Sequence, residues 1–438
     1  MLIEFTVGNF KSFRDKTTFS MIAANLTSND PALDQDNVIH VKKDLRLLKS
    51  AAVYGANASG KSNLGLALLF MRQFVQDSAR EASTPAANGL EPFLLDMKTP
   101  SQASFFEIVF LLEGVQYRYG FEVTGSHVLS EWLFYVPKTK EVAMFVREEQ
   151  EISTKTGFKE GKGLEVRTRP EALFLSVAAL FNGSVAQNVQ KWFEVLAVTT
   201  GLHEDHFRDY MMKFLLDPER KRTITDLVKA LDLDIVDLAV AEPLVAEFSG
   251  EPPGDSKRPS ANTSTQRIYT VHYVGEPGNY LRPIQLFDLD RQESHGTRKL
   301  IALAGPLCSI LANGQTMFVD ELDARLHPLM TRRIIELFHS PLTNPKGAQL
   351  IFATHDTNLL DKSLFRRDQI WFAEKDQQGA THLASLAEYR VRNDAAFEKN
   401  YLEGRYGAIP FLGDLTRLPW AQEQEAPEEG AGREPALA

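Results

Sequence analysis

The sequence predicts an α/β fold with a parallel central sheet to which both ends of the chain contribute. Residues 51–54 form a short apolar run that leads into a glycine-rich loop and then into a helical pattern beginning at Lys61, which is the order strand, loop, helix. Two later apolar runs, residues 316–319 and 350–353, flank a helical pattern at residues 329–339. Apolar strands joined through a helix are typical of buried parallel strands, so we assign all three strands to one core.

A second, antiparallel layer is predicted beside this core. The opening residues 3–7 alternate between apolar and polar types and lead into a turn at residues 8–13, which indicates a first strand of this layer. Glu113 and Gly114 fit a tight connection between two later strands. Three aromatic and β-branched runs form the rest of the predicted antiparallel insertion: Phe105–Leu112, Val115–Val123 and Val128–Val136.

Helical patterns dominate the middle of the chain. Residues 171–232 are predicted to be mostly helical, with Ser184 as the cap of a helix that has apolar spacing. Residues 249–265 are rich in Pro, Gly, Ser and charge, which indicates an exposed loop. Residues 421–438 are acidic and lack aromatic residues, which indicates disorder. Four parts follow: 1–170 (N-terminal part of the core with the antiparallel insertion), 171–265 (helical insertion and loop), 266–420 (C-terminal part of the core) and 421–438 (acidic tail).

Composition narrows the class of protein. The chain has 438 residues, 43% of them hydrophobic, which is enough to bury a sizeable core. No apolar run approaches the roughly 20 residues of a membrane-spanning helix, and the N-terminus lacks the features of a signal peptide, so we expect a cytoplasmic protein without membrane contacts. Cys308, the single cysteine, lies in an apolar helical run and is predicted to be buried without a chemical role.

The charge balance bears on nucleic-acid binding. The formal net charge is −10, and the five Glu and one Arg of residues 421–438 contribute −4 of it, which leaves −6 for the remainder. This balance disfavours indiscriminate binding of nucleic acid but does not exclude a local basic patch.

Residues 55–62, Gly-Ala-Asn-Ala-Ser-Gly-Lys-Ser, match the phosphate-binding loop G-x-x-x-x-G-K-S. Its glycines let backbone N–H groups approach phosphates, Lys61 would reach the β and γ oxygens of a triphosphate, and the Ser62 hydroxyl would ligate Mg²⁺. The alternative is a chance glycine turn. The strand before the loop and the helix after it favour the phosphate-binding interpretation.

Two later strands end in polar residues suited to hydrolysis. The run at residues 317–319 ends in Asp320 and Glu321, which would face the metal and the attacking water respectively. The run at residues 349–353 is followed by His355, which could hydrogen-bond the γ-phosphate or the water. The alternatives are an acidic turn after a strand and a structural histidine.

This order of parts resembles the ABC-type ATPases, in particular the branch of SMC, RecF and OLD-like proteins. Residues 55–62 look like Walker A, residues 317–321 like Walker B, Leu322-Asp323 like the D-loop and His355 like the switch histidine. The resemblance implies that the α/β core is an ABC-type P-loop NTPase head that uses ATP and Mg²⁺. It implies nucleotide contacts from Gly55, Asn57, Gly60, Lys61, Ser62, Asn63 and Asp323, metal ligands Ser62 and Asp320, and catalytic residues Glu321 and His355.

Residues 293–300 stand where this superfamily has its signature loop. A Ser and a Gly at a helix N-terminus can hold a γ-phosphate through N–H groups and the helix dipole. The resemblance assigns Ser294 and Gly296 to the nucleotide on the other subunit, which implies an ATP-dependent homodimer or a higher homo-oligomer. The residues depart from the usual L-S-G-G-Q form, and an ordinary helix N-cap is the alternative. No glutamine of the superfamily's Q-loop can be placed.

Further segments carry a narrower resemblance: residues 2–5, 8–13, 55–62, 320–323, 326–328, 389–392 and 401–410. They resemble the "AAA family" ATPases of restriction-linked and abortive-infection loci, of the RloA or AbiLi type. That resemblance implies a role in phage defence and a separately encoded, nuclease-like effector.

Two other functions stay open at this point. A RecF-like repair or recombination ATPase would clamp duplex DNA, although the acidic balance and the absence of a long coiled coil count against it. An OLD-like fused nuclease would need a metal-binding acidic cluster, which the segment after His355 lacks. Near the C-terminus, tyrosines interleave with arginines, which indicates either a surface for nucleic acid or a partner, or else a solvated face. The residues are Tyr389, Tyr401 and Tyr406 with Arg390, Arg392 and Arg405.

Overall fold

A computed structural model describes residues 1–28, 30–80, 84–200, 208–231, 234–242, 266–274, 283–392 and 395–410. Within these ranges the strands are β1 (Leu2–Gly8), β2 (Thr17–Ser20), β3 (Val38–Lys42), β4 (Leu45–Leu48), β5 (Ser50–Tyr54), β6 (Ser104–Leu112), β7 (Val115–Val123), β8 (Val128–Val136), β9 (Val142–Glu148), β10 (Glu151–Thr154), β11 (Ala197–Thr200), β12 (Asp237–Ala241), β13 (Arg267–Tyr273), β14 (Ile284–Asp288), β15 (Thr316–Asp320), β16 (Gln349–Ala353), β17 (Ile370–Lys375) and β18 (Thr381–Ser385). The α-helices are α1 (Pro31–Asp36), α2 (Lys61–Asp77), α3 (Phe174–Leu180), α4 (Ser184–Val195), α5 (Arg208–Leu215), α6 (Pro218–Ala230), α7 (Leu289–Gln292), α8 (His295–Asn313), α9 (Pro328–His339) and α10 (Phe397–Leu402).

The core sheet has the strand order β11-β15-β16-β5-β17-β18 and is parallel except for β18. The prediction that the early strand and the two late strands share one parallel core is therefore confirmed. In register, Val319 pairs with Phe352 and Ala353 pairs with Val53. The carboxyl ends of β15, β16 and β5 consequently lie side by side at one edge of the sheet.

Both faces of the core sheet are covered, as expected of strands that are apolar throughout. Alternate residues of β5 enter different hydrophobic clusters: Val53 belongs to the cluster that contains residues of α2, and Tyr54 to the cluster that contains residues of α8 and α9. Gly65 lets α2 approach the sheet closely, because a β-carbon there would run into the ring of Phe318 on β15.

The predicted antiparallel layer is also confirmed, as a sheet of order β10-β9-β8-β7-β6-β1-β2. Alternate side chains of β6 point inward, among them Phe106 and Phe110. Phe110 stacks on Trp192 of α4 with 4.3 Å between ring centroids. Phe121 of β7 contacts Phe74 of α2, so α2 packs against both the core sheet and the antiparallel sheet.

The middle of the chain differs in detail from the predicted helical insertion. Helices α3 to α6 are present, but residues 197–200 form β11, which extends the core sheet beside β15. A small antiparallel sheet of order β12-β13-β14 precedes α8. The predicted loop at residues 249–265 and the predicted tail at residues 421–438 lie outside the described residues.

The prediction that Ser184 caps a helix is wrong. The cap position of α4 is Gly183, and it makes no side-chain capping bond. The backbone N–H groups of Val185 and Ala186 donate instead to the carboxylate of Glu160, at 3.1 and 2.8 Å. The cap is a tertiary contact, and local sequence patterns do not show it.

The C-terminal tyrosines belong to the core. Tyr401 and Tyr406 are 7% and 4% exposed, and both rings stack on Phe372 of β17. Stacking on nucleic-acid bases needs exposed ring faces, which these two residues do not offer. The structure therefore contradicts the nucleic-acid interpretation for this pair.

Two expectations from composition can be compared with the described ranges. No helix in them combines the length and the apolar character that a bilayer crossing requires. Cys308 is half-buried on α8, and burial raises the pKa of its thiol to about 11. The reactive thiolate is therefore disfavoured at neutral pH.

Candidate nucleotide-binding site

The carboxyl edge of the core sheet brings together three segments that are far apart in the sequence. The loop at residues 55–60 follows β5, the turn at residues 321–325 follows β15, and residues 354–356 follow β16. Lys61 interacts electrostatically with the carboxylates that begin the turn and with His355. The predicted phosphate-binding loop, acid pair and histidine therefore share one site.

Glycines shape the phosphate-binding loop. Gly60 caps α2 with φ +106°, a left-handed conformation that favours glycine. A β-carbon at Gly60 would collide with the side chain of Thr381, and one at Gly55 would collide with the carbonyl of Ala373. The loop thus brings its backbone against β17 and β18, and α2 starts with its N-terminus at the sheet edge, where an anion is stabilised.

Lys61 lies inside this loop and is 5% exposed. Its Nζ donates to the carbonyl oxygens of Gly55 and Ala56, at 2.8 and 3.0 Å. Desolvation lowers the pKa of Lys61 to about 8, and nearby carboxylates, first Asp320 and then Glu321, partly oppose this shift. The pKa is low enough for the charge on Lys61 to change near physiological pH.

Asp320 and Glu321 occupy the end of β15 in different ways. The Oδ1 atom of Asp320 is buried and has no hydrogen-bond partner in the described part of the chain, and the same holds for Oδ1 of Asp323. Glu321 has φ +54°, a left-handed conformation that costs a non-glycine residue roughly 1–2 kcal/mol. This conformation turns the chain sharply at the sheet edge.

The residues present fit a Mg²⁺ ion. A buried carboxylate oxygen without a partner is satisfied by a cation, and Asp320 supplies one beside the P-loop. Ser62 is exposed in the first turn of α2, where its hydroxyl is available as a second ligand. The described ranges contain no group of three or more His, Cys, Asp or Glu side chains that could hold a metal by itself. Phosphate oxygens would complete the coordination, as in P-loop NTPases.

His355 follows β16 and opens to solvent at the same edge. The preceding residue, Thr354, is buried, and its N–H donates to the carbonyl of Val53 at 3.1 Å, which fixes the chain beside β5. Partial desolvation and the cation of Lys61 hold the pKa of His355 below its usual value. The neutral imidazole, which can both donate and accept a hydrogen bond, is therefore the main form at pH 7.

The turn at residues 8–13 lies against the P-loop. Ser12 Oγ accepts hydrogen bonds from Asn63 Nδ2 at 2.7 Å and from Thr381 Oγ1 at 2.8 Å. Thr381 Oγ1 also lies 2.8 Å from the carbonyl of Ser59. The side chain of Asn63 thus links α2 to the antiparallel sheet, while Asn57 is exposed at the tip of the loop.

The signature-like loop contacts the turn after β15 of its own chain. Ser294 caps α8, and its Oγ accepts from the N–H of Thr297 at 3.1 Å. Neither Ser294 nor Gly296 forms a hydrogen bond or ion pair with residues 55–63 within the ranges that the structure describes. Gly296 instead approaches the turn after β15, where a β-carbon would lie 2.8 Å from the carbonyl oxygen of Arg325.

Sequence reasoning missed Lys299, which is 1% exposed on α8. Its Nζ donates to three carbonyl oxygens of the turn after β15: Glu321 at 3.0 Å, Leu322 at 2.8 Å and Ala324 at 2.6 Å. A signal was present, because Lys299 shares helical spacing with the buried Leu303. Sequence reasoning also missed Thr381, whose position against the P-loop is set only by the pairing of β18 with β17.

Comparisons with known proteins bear on the family. No curated protein matches the chain. The SMC head domain from Thermotoga maritima aligns over 88% of this chain and 98% of its own, with 14% sequence identity and a TM-score of 0.39. The family model described as "AAA domain, putative AbiEii toxin, Type IV TA system" matches residues 50–361, from the first residue of β5 to beyond His355. The chain, an α/β P-loop head with an antiparallel layer, therefore belongs to this family of AAA domains.

Proposed function

We propose that this protein is an ABC-type ATPase that binds Mg²⁺–ATP at the carboxyl edge of its core sheet and hydrolyses it. The observation that carries the proposal is the convergence of Lys61 with the carboxylates of Asp320 and Glu321 beside a glycine loop. Lys61 would bind the β- and γ-phosphates, Ser62 and Asp320 would hold Mg²⁺, and Gly55, Asn57, Gly60 and Asn63 would contact the nucleotide.

Glu321 and His355 are the proposed catalytic residues. Glu321 would orient the attacking water and accept its proton as the bond to the γ-phosphorus forms. His355, neutral at pH 7, would donate a hydrogen bond to the γ-phosphate or to the same water. Mg²⁺ supplies charge neutralisation on the phosphate oxygens when it is bound.

A homodimer would complete the site. Ser294 and His295 are exposed at the N-terminus of α8, and among the described residues this N-terminus makes no hydrogen bond to the P-loop of the same chain. Such an N-terminus stabilises an anion, and a second copy could present it to the γ-phosphate. Two ATP molecules would then lie between two heads, with Gly296 and Asp323 of each chain near the interface. Hydrolysis would separate the two heads.

The proposed biological role is a nucleotide-dependent switch or sensor in bacterial defence against phage. The family description names the AbiEii toxin and a type IV toxin–antitoxin system, and several segments resemble ATPases of abortive-infection loci. In this role the ATP-bound dimer would act in the cytoplasm and control a separately encoded, nuclease-like effector.

A DNA-clamping ATPase of the RecF or SMC kind is the second candidate, and exposed lysines in the β8–β9 turn and at residues 155–162 favour it. Gly157, beside Lys155, packs against Tyr135, which leads into the β8–β9 turn. An affinity for duplex DNA that falls steeply with salt would support this candidate. It would be removed if the wild-type protein bound duplex DNA no more tightly than a neutral polymer. The exposed lysines of these two segments make no ion pair in the described part of the chain: Lys138, Lys140, Lys155, Lys159 and Lys162.

The ATPase proposal is tested by mass measurement and turnover with Glu321→Gln. The variant should bind ATP, hydrolyse it at least about 100-fold more slowly because the general base is lost, and accumulate as an ATP-bound dimer or larger assembly. Glu151→Gln, an exposed position on β10, is the matched control and should behave like the wild type. Unchanged hydrolysis and unchanged mass in Glu321→Gln would remove Glu321 from its role, and no ATP-dependent mass change in either protein would contradict the dimer.

A further inference from the structure

We infer that Lys299 is a positioning residue that couples the two ATP sites of the dimer. It connects the signature-like loop, which would contact the nucleotide held by the partner, to the turn that carries Glu321 of its own chain. This inference rests on the ATP-bound homodimer proposed above.

The first observation is the set of acceptors around the Lys299 ammonium. An ammonium group has three N–H donors, and three backbone carbonyl oxygens of one turn lie within 3.0 Å of Nζ. Lys299 is 1% exposed; its hydrogen bond to the carbonyl of Leu322 is buried, and those to Glu321 and Ala324 are partly buried. Lys299 lies five residues after Ser294, just over one turn into α8.

The second observation is a contact about one helical turn earlier on α8. Gly296 approaches the carbonyl oxygen of Arg325 so closely that a β-carbon would lie 2.8 Å from it. The start of α8 therefore contacts both ends of the turn at residues 321–325, through Gly296 at one end and Lys299 at the other.

The turn itself depends on this support. Glu321 and Arg325 have φ +54° and +64°, so the turn begins and ends in the left-handed region that non-glycine residues rarely adopt. The carbonyl groups of Glu321, Leu322 and Ala324 accept hydrogen bonds from Lys299 on α8, and the carbonyl of Leu322 is buried, where it needs a donor. Lys299 provides that donor, and with it the conformation that places Glu321 and Asp323.

A coupling between sites follows from this arrangement. In the proposed dimer, Ser294 and Gly296 contact the γ-phosphate held by the partner's P-loop. A shift at the start of α8 would move the Lys299 ammonium, and closely packed groups of this kind shift together between discrete arrangements. ATP at the partner's site would thus set the position of Glu321 in this chain.

A merely structural role makes a different prediction. Loss of the three hydrogen bonds of Lys299, one of them buried, would then lower the melting temperature and the turnover, but the response of one site to the other would not change. The decisive measurement is therefore a ratio of rates within mixed dimers, which cancels a general loss of activity.

The experiment combines one test chain with an excess of a tagged partner that cannot hydrolyse ATP. Glu321→Gln serves as the partner that holds ATP, and Lys61→Ala as the partner that does not. Both partners keep an intact signature-like loop, which completes the ATP site of the test chain. Because neither partner hydrolyses ATP, all hydrolysis in a mixed dimer comes from the test chain's site. The test chains are the wild type, Lys299→Met and the control Lys49→Met, which removes another buried lysine that donates to a carbonyl, that of His339 at 2.8 Å.

For the wild type, the rate with the ATP-holding partner should exceed the rate with the empty partner at least about fivefold, the lower range of allosteric coupling. Lys299→Met should reduce this ratio to about one, because an apolar side chain cannot hold the turn. Lys49→Met should keep the wild-type ratio. The measurement is made at saturating partner, with mixed dimers verified by mass.

The outcomes separate the inference from the proposed function. Absence of ATP-dependent dimers contradicts the proposed function. If dimers form, three results overturn the inference and leave the proposed function standing. These are a wild-type ratio of one, an unchanged ratio in Lys299→Met, and an equal loss of the ratio in Lys49→Met.

Two more variants keep the test decisive if Lys299→Met folds poorly. Lys299→Arg keeps the charge, and Lys299→Gln keeps N–H donors without charge, but neither can direct three N–H groups from one nitrogen at the three carbonyl groups. Any of these variants that melts like Lys49→Met should have a lower ratio than the wild type. A wild-type ratio in one of them overturns the inference.

Discussion

The pKa of Lys61 predicts that ATP binding weakens above pH 8. In the free protein this pKa is about 8, because the side chain is desolvated within the P-loop. A protonated Lys61 binds phosphate oxygens, and a deprotonated one does not. Bound triphosphate places several negative charges beside Nζ, so the pKa in the complex should return to at least its ordinary value of roughly 10.4. ATP binding at pH 9 therefore requires uptake of a proton.

The size of the effect follows from linkage. Between pH 8 and the pKa of the complex, the affinity falls up to about tenfold for each pH unit. From pH 7 to pH 9 we expect a loss of about tenfold, or about 1.4 kcal/mol. The sign for folding is opposite: the folded pKa lies below the unfolded one, so the unfolded chain binds more protons between pH 8 and roughly 10.4, and Lys61 makes the protein more stable as pH rises through that window.

Calorimetric titration with a non-hydrolysable ATP analogue tests this prediction. Titrations at pH 7, 8 and 9 and constant ionic strength, in buffers of different ionisation enthalpy, report both affinity and proton uptake. Lys61→Arg is the matched control, because guanidinium stays protonated throughout, and its affinity should not vary with pH. His355 does not contribute, since its lowered pKa leaves it mostly neutral in this range.

Two results would refute the reasoning. Equal wild-type affinity at pH 7 and pH 9, without proton uptake, would show that Lys61 does not change its protonation on binding. An equal loss in Lys61→Arg would assign the titration to another group.

Further predictions concern α2 and the metal. Gly65→Ala should lower the free energy of unfolding by about 1–3 kcal/mol in urea denaturation, because the added β-carbon meets the ring of Phe318. The control is Gly125→Ala, whose β-carbon would have only an ordinary contact at 3.6 Å and which should change the free energy of unfolding by less than about 0.5 kcal/mol. Equal effects of the two substitutions would contradict the close approach of α2 to β15. Asp320→Asn should weaken ATP binding about tenfold or more in Mg²⁺ and leave binding in EDTA unchanged, since loss of one metal ligand affects only the metal-dependent part; an unchanged Mg²⁺ dependence would exclude Asp320 as a ligand.

The sequence alone determined the parts that depend on neighbouring residues. The pattern of residues 55–62 specifies its own backbone requirements, and the apolar runs of β5, β15 and β16 specify burial on both faces. Parallel pairing of those strands then requires their polar ends to meet at one edge. For that reason the sequence alone could predict Lys61, Asp320 and His355 as site residues.

Only the tertiary structure decided the contacts between distant segments. Glu160 caps α4 across 25 residues, the edge strand β11 pairs with β15, which follows more than 100 residues later, and Lys299 supports the turn that holds Glu321. Each depends on how packed elements approach one another. A carboxylate or ammonium has the same local sequence whether it faces water or buried backbone groups, so its role is set by the atoms that packing places beside it.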